Sequence, residues 1–254
     1  SYRATRHDRP PQIPVTSDNA SPELLMIGNT SETWRIGNIV RKLPRTVSDK
    51  HITNANIAAA KNEANVYLIL GEHPLIAKCH AICPARSYID LEYYSYGTLR
   101  DYISLHRSNI TSYQLRLWAC VRHADLRLEQ WLLDQSLQPH LADFNGSGFD
   151  GNLDLGLEST AATSLESVSH RMPRDFDKDS TVESDLFALG STLYELGANS
   201  GPFEGQDDNI IEANLAKHLF PSTDNVLLGD IIMRCWKGYY QSADQILEDL
   251  ASLV

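Results

Sequence analysis

Two stretches hold the side chains of this chain best suited to chemistry. They are His123-Ala124-Asp125-Leu126-Arg127-Leu128-Glu129-Gln130 and, a short interval later, Ala142-Asp143-Phe144-Asn145-Gly146. A carboxylate takes a proton from a hydroxyl or holds a hard cation such as magnesium through oxygen. An ammonium such as that of Lys42 is a compact charge suited to phosphate. Taken singly, these residues also have ordinary readings: Asp143 as an N-cap aspartate in a turn, Lys42 as a surface lysine, Glu63 as a helix-face charge.

In order and spacing the two stretches resemble the catalytic loop and metal loop of a protein kinase. His73-Pro74-Leu75-Ile76 is similar to that family's H-P-x-I connector, and Asp185-Leu186-Phe187-Ala188-Leu189-Gly190 to its D-x-x-x-x-G. The resemblance implies that Asp125 is the base that deprotonates a substrate hydroxyl in line with the γ-phosphate. It implies that Asp143 binds the magnesium bridging the ATP phosphates. An ion pair from Glu63 would hold Lys42 against the α- and β-phosphates, and Arg127 would neutralise charge on the transferring phosphoryl group. Gln130 joins Asp143 as an implied metal ligand. Ile27, Gly28, Lys42, Glu92 and Tyr94 are the implied nucleotide-binding positions, and ATP and magnesium the implied cofactors. Arg127 resembles the lysine of serine/threonine kinases rather than the alanine of tyrosine kinases, so the implied acceptor is a protein serine or threonine.

Several positions depart from the family's pattern. Gly28-Asn29-Thr30-Ser31-Glu32-Thr33 keeps one glycine of G-x-G-x-x-G and puts β-branched threonine where backbone should approach phosphate. Gln130 is a methylene longer than the usual asparagine, and magnesium tolerates little deviation from octahedral geometry. Asn145 replaces the glycine of D-F-G, and asparagine reaches left-handed backbone angles better than most residues. Arg174 replaces the glutamate of A-P-E. Ala124 replaces an arginine that pairs with phosphate on the activation segment, which implies activity without phosphorylation there. The alternative reading is a pseudokinase, a nucleotide-binding or scaffold module without turnover. A small-molecule phosphotransferase with an H-x-D loop is the lesser alternative, since the segment from Asp143 through Met172-Pro173-Arg174 to Gly190 fits a protein kinase better.

The elements that must position these residues follow from periodicity and turn chemistry. Leu24–Ile27, Trp34–Ile36 and Ile39–Leu43 read as short strands, the last two joined at Gly37-Asn38. From Asn54 to Leu70 the recurrence of Ile57, Ala60, Ala64, Tyr67 and Leu68 predicts a helix ended by Gly71. Tyr88–Tyr94 reads as a strand entering a linker, and Gly97–Ile103 as a short helix. Ser184–Leu196, behind a capping box at Ser180–Glu183, predicts a long helix. Ile210–Leu219, Val226–Trp236 and Ala243–Leu253 predict three more. The expected class is α+β and two-lobed: an extended or disordered leader over 1–22, a β-rich N-lobe over 23–91, a hinge over 92–95 and an α-helical C-lobe over 96–254. The Thr111–Arg122 interval is short for the family's helix E, since twelve helical residues span only about 18 Å.

Composition narrows the function classes. The formal charge of -11, from 22 lysines and arginines against 33 acidic residues, disfavours a nucleic-acid surface. A protein substrate or binding partner is the expected partner, with no nucleic acid and no membrane. No apolar run approaches the roughly 20 residues needed to span a bilayer, and the polar Ser1–Pro11 stretch lacks a secretory apolar segment. Cys79, Cys83, Cys120 and Cys235 are too scattered to staple a domain, which fits a reducing, intracellular and cytoplasmic setting. Nothing in the sequence sets an oligomeric state.

Overall fold

A computed structural model describes residues 21–110, 127–162, 166–175, 178 and 180–252. Its N-terminal part is a five-stranded antiparallel sheet with one long helix, and its C-terminal part is mostly helical. The strands are β1 (Glu23–Ile27), β2 (Ser31–Ile36), β3 (Ile39–Pro44), β4 (Cys79–Ile82) and β5 (Ile89–Glu92), in the order β1-β2-β3-β5-β4. Gly37, at φ 62°, makes the tight β2–β3 turn that its position before Asn38 predicts. The strand β2 begins earlier than its apolar residues suggest, because Ser31, Glu32 and Thr33 pair with Pro44, Leu43 and Lys42.

Helix α1 (Lys50–Leu70) starts four residues before Asn54, because the Asp49 carboxylate caps it by accepting from the His51 and Ile52 N–H groups. It ends where Gly71, at φ 62°, turns left-handed and returns its N–H to the Tyr67 carbonyl. The buried face carries Ala64, Val66 and Tyr67 together with Asn56 and Glu63, whereas Leu68 faces solvent. Apolar spacing alone does not register this face, because two of its buried members are polar.

After α1, the connector through Ile76 runs beside a two-stranded hairpin, β6 (Trp131–Leu133) and β7 (Pro139–Leu141). Leu141 N–H donates to the Leu75 carbonyl at 2.8 Å, and Ala77 N–H to the Leu141 carbonyl at 2.7 Å. The chain that leaves β7 therefore emerges against α1. Helix α2 (Leu99–His106) is capped by Thr98.

The helical part is built around α3 (Val182–Ala198), with α4 (Asp208–Ala216), α5 (Gly229–Trp236) and α6 (Ala243–Ala251) about it. The capping box is Thr181 with Ser184, one residue later than Ser180–Glu183: each hydroxyl accepts from the other residue's backbone N–H. One core runs from Ala64, Tyr67, Ile89 and Leu91 through Leu128 and Leu133 to Phe187, Leu193 and Ile232. Among the described residues no helix is long and apolar enough to cross a membrane. The Thr111–Arg122 interval lies outside the described residues.

Gly190 sets how closely α3 and α5 approach, since a Cβ there would stand 2.7 Å from Cys235 Cβ and 3.2 Å from the Trp236 ring. Overpacking of this kind costs about 1–3 kcal/mol. Gly190→Ala is expected to lower the thermal midpoint by several degrees, as read by circular dichroism. An unchanged midpoint would show that the two helices separate freely.

Candidate functional site

Arg41 and Lys42 are consecutive on β3, and side chains alternate across a sheet, so the two cations leave by opposite faces. Arg41 forks onto its cross-strand neighbour Asp90, with Nε–Oδ1 and Nη2–Oδ2 both 2.7 Å, and its guanidinium lies 4.1 Å over the Tyr88 ring. Lys42 is turned toward α1. Its Nζ is 2.8 Å from Glu63 Oε2 and 2.6 Å from Asp143 Oδ1, so residues from a strand, a helix and the loop after β7 meet on one ammonium. Burial works against the Lys42 charge, but Glu63 and Asp143 outweigh it and hold its pKa above the ordinary lysine value.

The loop after β7 is fixed by α1. Asp143 sits at φ 69°, a left-handed conformation that a non-glycine residue keeps only when its surroundings enforce it. Glu63 Oε1 accepts from the Phe144 N–H at 3.3 Å. The Asn62 side-chain amide donates to the Asn145 carbonyl at 3.2 Å and the Ser147 carbonyl at 2.8 Å. The buried Phe144 ring packs edge-on against Tyr67, with centroids 5.2 Å apart. One Asp143 oxygen is thus committed to Lys42 while the side chain as a whole is 42% exposed, which leaves carboxylate surface for a cation. Asn62 is a positioning residue that sequence reasoning passed over. Its one signal is that it directly precedes Glu63.

The other residues singled out in the sequence fall into place unevenly. Asp125 lies outside the described residues, as does Ala124. Gln130 is buried in a 3-10 turn, and its amide oxygen accepts from the Arg127 N–H at 3.3 Å, while its backbone carbonyl accepts from Ala142 N–H at 2.9 Å. Ile27 ends β1 with its side chain exposed, and Gly28 N–H closes the β1–β2 turn on the Ser31 carbonyl at 2.8 Å. The Glu92 carboxylate lies 3.8 Å from His80, and the Tyr94 hydroxyl accepts from the Lys78 N–H at 3.0 Å. Both of these side chains serve the β4 side of the linker. Arg174 has a partner of its own, Glu166 at 2.7 Å, with both side chains largely buried.

Arg127 makes itself felt on the helical side. Burial pushes His170 down to about 3, and Arg127 and Arg100 add to the effect. Burial, with Glu129, pushes the nearby Glu195 carboxyl up to about 7 against the pull of Arg100 and Arg127. His170 Nε2 and Glu195 Oε2 stand 3.7 Å apart, and the segment before Arg171 is tied to α3 by the Ser191 hydroxyl, which donates to the Ser169 carbonyl at 2.8 Å.

No protein-family model matches the chain. The chain is similar to a protein kinase C of Drosophila melanogaster, 23% identical over 202 residues, which is 74% of this chain and 25% of that protein. The chain thus spans about a quarter of the length of the relative it matches.

The buried pair yields a prediction with a definite sign. Between pH 4.5 and 6.5 the unfolded state carries one proton on His170 and none on Glu195, and the folded state carries one on Glu195 and none on His170. The two contributions to pH-dependent stability therefore cancel in this window. Glu195→Gln leaves only the histidine, whose depressed folded pKa makes stability rise with pH. Relative to wild type, the variant should gain up to about 1.4 kcal/mol per pH unit between pH 5 and 6.5. Urea unfolding at several pH values reads this, and parallel pH profiles for the two proteins would contradict it.

Proposed function

From the premise that this is a protein-kinase-like chain, we propose that it binds ATP and magnesium and transfers the γ-phosphate to a protein serine or threonine hydroxyl. In this reading the fold is two-lobed, with residues 23–91 as the sheet-bearing lobe, 92–95 as hinge and 96–254 as the helical lobe. The observation that carries the proposal is the convergence of Glu63 and Asp143 on the Lys42 ammonium, at 2.8 and 2.6 Å.

Each residue then has a task. Lys42, kept charged by its two carboxylates, orients the α- and β-phosphates. Glu63 fixes the lysine and, through the Phe144 N–H, the loop that carries Asp143. Asp143 supplies a hard oxygen for magnesium, which when bound neutralises charge on the phosphate oxygens. Asp125 accepts the proton of the attacking hydroxyl. Arg127, whose backbone N–H engages the Gln130 side chain, neutralises charge on the transferring phosphoryl group. Ile27 and Gly28, with the Glu92–Tyr94 linker, border the nucleotide.

A second reading, nucleotide binding without turnover, is favoured by one observation: the Gln130 amide oxygen is engaged by Arg127 N–H. In that case the metal shell rests on Asp143 alone.

Two substitutions test these assignments. Asp143→Ala should abolish the magnesium-dependent part of the thermal stabilisation by ATP, because the metal loses its protein anion. A magnesium-dependent shift of unchanged size would reject Asp143 as ligand. Asp125→Asn should keep ATP binding and cut phosphotransfer by orders of magnitude, about 1.4 kcal/mol of barrier for each factor of ten. Wild-type protein that binds ATP yet phosphorylates no member of a protein and peptide panel would favour the second reading.

A further inference from the structure

Two departures from the kinase pattern touch each other. Asn145 Nδ2 donates to Thr30 Oγ1 at 3.0 Å, across 115 residues of sequence. Thr30 stands where the second glycine of G-x-G-x-x-G would be and Asn145 where D-F-G has its glycine, so glycine at either place leaves no bond. The contact joins the β1–β2 turn to the loop that carries Asp143.

Both ends of this bond are anchored independently. On the turn, Thr30 carbonyl accepts from the Arg45 N–H at 2.8 Å, and the Arg45 guanidinium donates to the Gly28 carbonyl at 3.2 Å. On the loop, Asn145 carbonyl accepts from Asn62. A small cavity beside the ammonium is walled by Thr30, Asn145, Lys42, Asn56 and Glu63, and the Lys42 side chain is only 10% exposed. An ammonium has three donors. Both Glu63 oxygens, at 2.9 and 2.8 Å, and Asp143 Oδ1, at 2.6 Å, lie within reach of them.

We propose that Thr30 and Asn145 form a latch that closes the phosphate end of the nucleotide site over Lys42, and that nucleotide phosphates gain Lys42 only when this bond opens. The proposal rests on the nucleotide-binding reading given above. Binding then carries the cost of breaking one side-chain hydrogen bond between partly buried groups. Residues that read as defects in a phosphate-binding loop set its affinity instead, by holding the loop shut between binding events.

The test is a magnesium–ATP titration by calorimetry of the full chain, with Thr30→Val, which keeps the branched shape without the hydroxyl, Asn145→Gly, and the two together. Each single substitution should tighten binding about 2- to 10-fold, the range expected for one such bond. The double variant should match the tighter single variant, because both remove the same contact. Equal affinity in all four proteins, weaker binding in the single variants, or additive gains in the double would overturn the latch while leaving nucleotide binding intact. ATP binding absent from wild type and variants alike would defeat the proposed function and the gating role with it. Hydrogen exchange at Asn29–Ser31 without nucleotide should rise in both single variants, and unchanged exchange would overturn the latch without reference to ATP.

Discussion

The structure turns on the burial of one ammonium. A lysine removed from water is costly unless anions meet it, and Lys42 satisfies that requirement with carboxylates from two separate parts of the chain. The consequence is geometric. Helix α1 must lie with Glu63 over β3, and the loop after β7 must bring Asp143 to the same point. The Arg41–Asp90 fork on the opposite face of the sheet is made within neighbouring strands.

Holding Asp143 at this point has a local cost in its left-handed backbone, and α1 meets it through hydrogen bonds as well as charge. Asn62 and Glu63 are adjacent, yet one grips carbonyls of the loop and the other an N–H. The Phe144 ring ties the same loop into the core through Tyr67. That core continues without a break into the helices around α3, so the sheet, the loop and the helical part share one packed interior at the site.

Several departures from the kinase pattern share a feature. Three of the substituted residues have found a partner: Arg174 with Glu166, Gln130 with Arg127 N–H, Asn145 with Thr30, whereas the buried Thr33 hydroxyl has none among the described residues. A buried polar or charged group left unpaired costs more than the bond it makes returns, so a partner in reach makes such a replacement easier to accommodate.

Much of the order of elements was legible in the sequence, though not the strand β4 or the β6–β7 hairpin. Gly37, Gly71 and the apolar spacing of α3 mark turns and helices by local chemistry that needs no partner. Chain order likewise brought Lys42, Glu63 and Asp143 forward together, through their likeness to a known pattern of motifs. That Lys42 faces Glu63 was expected from the same likeness, whereas the Arg41–Asp90 fork on the opposite face was decided only in three dimensions, by strand register. The buried face of α1, with Asn56 and Glu63 in it, the Asn62 grip and the Thr30–Asn145 contact were likewise hidden. These are polar contacts between segments tens of residues apart, and polarity in a sequence reads as exposure until the fold supplies the partner.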